Sequence, residues 1–93
     1  MVIISVDHDD AITARVSING VHRATLTHPG ALNAAIGAYL VDLNLPAQAT
    51  VWVAPEGRKA TPADAGQYIG AAKVYAETNG PTALAKLLKG ALT

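Results

Sequence analysis

Residues 11–26 read "AITARVSINGVHRATL", and the way this stretch folds back on itself decides the architecture. Two runs rich in β-branched residues flank Asn19-Gly20, a dipeptide that accepts the positive φ angles of tight hairpin turns. The register follows from side-chain chemistry. A two-residue loop sets Ile18 opposite Val21, then Val16 against Arg23 and Thr13 against Leu26, which mixes apolar and polar groups on both faces. A three-residue loop, Ile18-Asn19-Gly20 with Gly20 as a left-handed bulge, pairs Val16 with His22, Ala14 with Ala24 and Ile12 with Leu26. One face is then apolar and the other carries Thr13, Arg15, Ser17, Arg23 and Thr25. The second register is the expectation.

Toward the N-terminus, "VIISVD" (residues 2–7) is a further strand. It joins the hairpin through "DHDD" (residues 7–10), so the first three strands form a meander. Three acids and a histidine in four residues invite a metal or catalytic reading. A hard cation, however, needs several oxygens converging from different parts of the chain, and no second acidic cluster supplies them. An isolated histidine beside acids is no zinc signature. Aspartates favour tight turns because their carboxylates bond the local backbone, so a solvated turn is expected here.

Toward the C-terminus, "THPGALNAAIGAYLVDLNLP" (residues 27–46) offers Thr27 or His28 as a cap and Pro29 in the first turn. Leu32, Ile36, Tyr39, Leu40 and Leu43 recur at helical spacing, and Pro46 stops the helix. "ATVWVAP" (residues 49–55) reads as a short buried strand closed by the turn "PEGRK". Thr61, Pro62 and Asp64 have the pattern of a helix N-cap, first position and capping acid. The helix they start would bury Ala65, Tyr68, Ile69, Ala72, Tyr75 and Ala76, and end at Asn79-Gly80-Pro81. A last helix from Pro81 carries Leu84, Leu87, Leu88 and Leu92 on one side, with Lys86 and Lys89 toward water. The expected order is β-β-β-α-β-α-α. It describes an α+β fold over residues 1–93, a three-stranded antiparallel meander plus a fourth strand with three helices packed on the sheet.

The composition narrows the function classes. Ninety-three residues allow one core. Apolar residues make up 51% and charged residues 15%, so little charge covers the surface and an apolar patch for a partner, or for a second copy in a homo-oligomer, is expected. A net charge of zero and the lack of interleaved exposed aromatics argue against nucleic-acid binding. No cysteine is present, which removes disulfides, thiolate catalysis and cysteine-based zinc sites. "MVIISV" (residues 1–6) has no basic segment and only a short apolar run, so neither a signal peptide nor a membrane span is expected and the location should be cytoplasmic.

The sequence offers no pattern expected of a catalytic, cofactor-binding or metal residue. His22 and His28 have no nucleophile signature to activate; His22 reads as a partly buried strand residue and His28 as a helix-start residue. The glycines form neither a dinucleotide fingerprint nor a phosphate loop. Trp52 and the three tyrosines sit at core-like positions. Arg15 and Arg23 on the open sheet face, and Leu84 and Leu88 on the last helix, are the candidate partner-binding residues.

The order of a three-strand meander, a helix, a short strand and another helix over residues 1–75 resembles the ribonuclease H-like fold. That resemblance implies a two-metal site needing an acid on the first strand, a glutamate in the first helix and an aspartate ending the fourth strand. Asp7 matches the first position. The first helix has no acid before Asp42, and the fourth strand ends Ala54-Pro55 with Glu56 beyond, so the implied nuclease lacks two of its three ligands. In size and style, a short, cysteine-free, alanine-rich chain is similar to early accessory proteins of actinobacterial phages. That similarity implies a partner among essential host proteins of growth or envelope synthesis. The function expected is therefore a non-enzymatic protein-interaction module, against a degenerate ribonuclease H-like enzyme and a nucleic-acid-binding accessory protein.

Overall fold

The order of strands in the sheet is β3-β2-β1-β4-β5, so the first strand ends up at the centre. The computed structural model describes residues 3–45, 48–55 and 57–92; Pro46, the expected helix stop, and Glu56 lie outside them. The strands are β1 (Ile4–His8), β2 (Thr13–Ile18), β3 (Val21–Thr27), β4 (Thr50–Ala54) and β5 (Thr61–Asp64). Helix α1 (Leu32–Asp42) lies between β3 and β4, and α2 (Gly66–Asn79) and α3 (Pro81–Ala91) follow β5. The meander β1-β2-β3 is antiparallel, β4 runs parallel to β1, and β5 returns antiparallel to β4. The fold is α+β with a five-stranded mixed sheet and three helices.

The hairpin solves its register problem in a way that differs from expectation. Asn19 (φ 52°) and Gly20 (φ 81°) both lie in the left-handed region, so the turn has two residues and Ile18 stands opposite Val21. Ser17 then faces His22, but Val16 faces Ala24 and Ala14 faces Leu26, which leaves Arg23 as an extra residue in β3. The irregularity sits inside the strand instead of the loop. One inserted residue restores the period of two, and Ala14, Val16, Ala24 and Leu26 all end up buried on one face.

The second difference is β5. Thr61, Pro62 and Asp64 do not start a helix; they pair with Val53, Trp52 and Thr50. The free edge of β4 competes for this segment, and ladder bonds plus the Ala65 N–H donated to the Ala49 carbonyl (2.8 Å) outweigh a local capping preference. Pro62 is tolerated because β5 is an edge strand with a side that needs no donor. Helix α2 begins only at Gly66, without a side-chain cap, and still buries Tyr68, Ile69 and Ala72. It ends where expected, at Gly80 (φ 92°), and Pro81 opens α3.

Helix α1 is the centre of the helical layer. Leu32, Ala34, Ala35, Ile36, Gly37, Ala38 and Leu40 are all buried, because α1 touches β3, α2 and α3. Its small residues let neighbours approach closely, and Gly37 meets the backbone of α2 at Tyr68. Ile4, Val6, Val16, Leu26 and Val51 from the sheet complete the core. Each buried aliphatic side chain of this size contributes about 1.5–3 kcal/mol relative to exposure. Leu84 and Leu88 lie half-buried against this core, beside the buried Leu87. Leu92 leaves the helix in extended conformation and bridges to Leu26 on the β3 edge.

Candidate functional site

All three helices pack over one side of the sheet, and alternation sends every second strand residue to the other. Ser5, Asp7, Thr13, Arg15, Ser17, Thr25, Thr50 and Trp52 have that parity, and each is half-buried or exposed. Among the described residues, this face has no covering element. The pairing fixes its pattern. Ser17, Ser5, Trp52 and Pro62 form one row across β2, β1, β4 and β5; Thr25, Arg15, Asp7 and Ala54 form the next across β3, β2, β1 and β4.

Trp52 is the residue that sequence reasoning misplaced. It is 40% exposed, on the open face beside Pro62, and not in the core. The alternation Thr50 out, Val51 in, Trp52 out was available in "TVWVA"; the apolar character of the run obscured it. Ile3, 47% exposed, continues the β1 alternation on the same side, one residue pair below. His22 is likewise exposed instead of partly buried, and its Nε2 bonds Thr25 Oγ1 at 2.9 Å.

Arg15 lies in the second row. Its guanidinium grips the Asp9 carboxylate, with Nε 3.0 Å from both oxygens and Nη2 2.9 Å from Oδ1. This hydrogen bond, and secondarily the charge of Asp9, raises the Arg15 pKa further. Arg23 is exposed at the β3 bulge. The "DHDD" turn takes the form expected of a turn: Asp10 Oδ1 accepts the Ile12 N–H (2.9 Å), and the Asp9 N–H donates to the Thr13 carbonyl (2.9 Å). Among the described residues, no group of three or more acids and histidines could hold a metal ion. Asp7 neighbours Ala54 across the parallel β1–β4 pair, so a methyl group stands where the ribonuclease H-like resemblance calls for an aspartate.

A cleft of about 400 Å³ opens at the carboxyl end of β1, between the β1–β2 turn, the β3–α1 loop and α2. His8, His28, Asn33 and Ala71 line it, with Ala11 and Leu32. His8 Nε2 lies 3.0 Å from Tyr68 Oη, and the two rings stack at 6.4 Å and 25°. Burial lowers the His8 pKa from its usual 6.5, against the opposing charge of Asp7, and burial raises the Tyr68 pKa from 10.0. His28 does not cap α1 itself. Its Nδ1 accepts the N–H groups of Gly30 (3.1 Å) and Ala31 (2.9 Å) in the turn before the helix, whose cap position is Ala31.

No protein family, curated protein or solved structure matches the chain. Among the described residues, no helix is long and apolar enough to cross a membrane.

Proposed function

We propose that this chain is a non-enzymatic module that docks onto another polypeptide through the open face of its sheet, with Trp52 as the anchor. The observation that carries the reading is the position of Trp52, 40% exposed at the middle of an uncovered β-face, with Pro62 beside it and Arg15 one row away. A tryptophan with 40% of its surface in water keeps apolar area free for a partner, and tryptophan and arginine are among the side chains that most often dominate protein–protein binding energy. The surrounding serines and threonines form the polar rim typical of such patches. Arg23 lies toward the β3 edge of the same surface. Leu84 and Leu88 serve packing in this reading, since they rest against the core.

The non-enzymatic part of the proposal rests on donor sets. Of the acids that a ribonuclease H-like metal site requires, only Asp7 is in place, and Ala54 fills the neighbouring position. In size and composition the chain is similar to early phage accessory proteins, and the proposal accordingly puts the partner among essential host proteins of growth or envelope synthesis. The test is affinity capture from host lysate with wild-type protein and with Trp52→Ser. Retention of a discrete protein by the wild type and its loss with a folded Trp52→Ser supports the proposal. Equal retention by both, or retention of nucleic acid in place of protein, overturns it.

A further inference from the structure

The β3–α1 loop is tied down by an imidazole nitrogen that acts as an acceptor. His28 Nδ1 accepts two backbone N–H groups, those of Gly30 and Ala31. An acceptor nitrogen cannot carry a proton, so the ring is the neutral tautomer with its hydrogen on Nε2. An imidazolium has a donor on both nitrogens and can accept nothing. Protonation of His28 therefore removes both bonds at once, and it places a cation beside the N-terminus of α1, the positive end of the helix dipole.

Among the described residues, His8 is the other titratable side chain lining the cleft that His28 shares. The acids of the neighbouring turn are engaged elsewhere: Asp9 with Arg15, and Asp10 with the Ile12 N–H. Asp7 lies beside His8 in β1, whose ring is bound to Tyr68. The backbone of His28 stays anchored, because its N–H donates to the Ile12 carbonyl at 2.8 Å. Loss of the ring bonds thus frees the turn at residues 29–31 and leaves the sheet intact.

We infer that His28 is an acid-released latch on the rim of this cleft: the neutral ring holds the Gly30-Ala31 turn closed, and protonation opens it. Nuclear magnetic resonance of the isotope-labelled full chain between roughly pH 8 and 5, the span in which histidines titrate, tests it directly. As the His28 ring signals report protonation, the Gly30 and Ala31 amide resonances should shift in step. Their exchange protection should fall by about tenfold, the weight of one ordinary hydrogen bond, while Ala35 in α1 stays protected. In His28→Asn, whose side-chain oxygen accepts but does not titrate, both amides should become insensitive to pH. Amides of Gly30 and Ala31 that stay unmoved while the His28 ring protonates overturn the inference, as does the same shift in His28→Asn. If that variant does not fold, the wild-type titration alone decides.

Discussion

Gly37 of α1 faces the carbonyl oxygen of Tyr68 in α2 so closely that a methyl group on Gly37 would overlap it, with the Ala72 Cβ only 3.0 Å from the same point. Here a glycine in mid-helix is required by its neighbour and not by its own backbone angles. Its helix-propensity cost of up to about 1 kcal/mol is the condition for α1 and α2 to touch. Gly37→Ala should therefore destabilise the domain by about 1–3 kcal/mol, the usual cost of overpacking, in spite of alanine's better propensity. Urea denaturation measures it, and a stability gain would show that the two helices can separate freely at this point.

Tyr68 reaches past this contact to His8, and the pair makes stability depend on pH at both ends of the scale. Burial lowers the folded-state pKa of His8, so the unfolded chain binds the extra proton more readily. Stability from this source is present above the usual value of 6.5 and declines as pH falls from there toward the folded-state pKa. Tyr68 has the opposite sense: its raised pKa gives stability that is present below 10.0 and declines as pH rises beyond it. Melting temperatures across this range should lose the acidic slope in His8→Gln and the alkaline slope in Tyr68→Phe. Unaltered slopes in either variant would remove that residue from the account.

At the opposite end of the sheet, Gly20 holds φ at 81° while Asn19 binds the chain start, its Oδ1 accepting the Ile3 N–H at 2.8 Å. Gly20→Val should cost more than about 1 kcal/mol, since a β-branched side chain is strongly disfavoured at positive φ. An unchanged melting temperature would mean that the turn tolerates another geometry.

The hairpin also shows how far local reading carries. Asn19-Gly20 and Gly80-Pro81 are punctuation whose physics is contained within a few residues, and both stand where the sequence places them. The meander and the order of the helices follow from periodicity in the same way, and of the stripe expected to be buried, Ala65, Tyr68, Ile69 and Ala72 are buried while Tyr75 and Ala76 are half-buried. What escaped were outcomes decided at a distance. Thr61-Pro62-Ala63-Asp64 has a helix-start pattern, but the exposed edge of β4 captures it as a strand. The Arg23 bulge exists because both a tight turn and an apolar face had to be satisfied, and one inserted residue reconciles them. Trp52 reads as core by residue type, and only the sheet's one-sided covering puts it outside. Arg15 was legible as an open-face residue; its ion pair with Asp9 depended on the shape of the turn.

The terminal helix tests the division between packing and docking. Leu87 is 5% exposed, and Leu84 and Leu88 rest against the same core. Leu88→Asp should destabilise the protein, because a carboxylate at this half-buried position gives up part of its water against apolar neighbours. Circular dichroism distinguishes the outcomes. A folded Leu88→Asp that no longer captures its partner would move the docking surface from the sheet to α3.

The claim that matters most is that the open sheet face meets another polypeptide at Trp52. A photo-activated cross-linking residue placed at Thr50, exposed on the same face of β4 two residues from Trp52, in one variant, and at Val74 on the exposed surface of α2 in another, asks the question at the surface itself and leaves Trp52 in place. Irradiation in host lysate should give a discrete protein adduct from position 50 and none from position 74. Excess unlabelled wild type should compete the adduct away, and excess Trp52→Ser should not. Adducts from both positions alike, or none from position 50, would contradict the account.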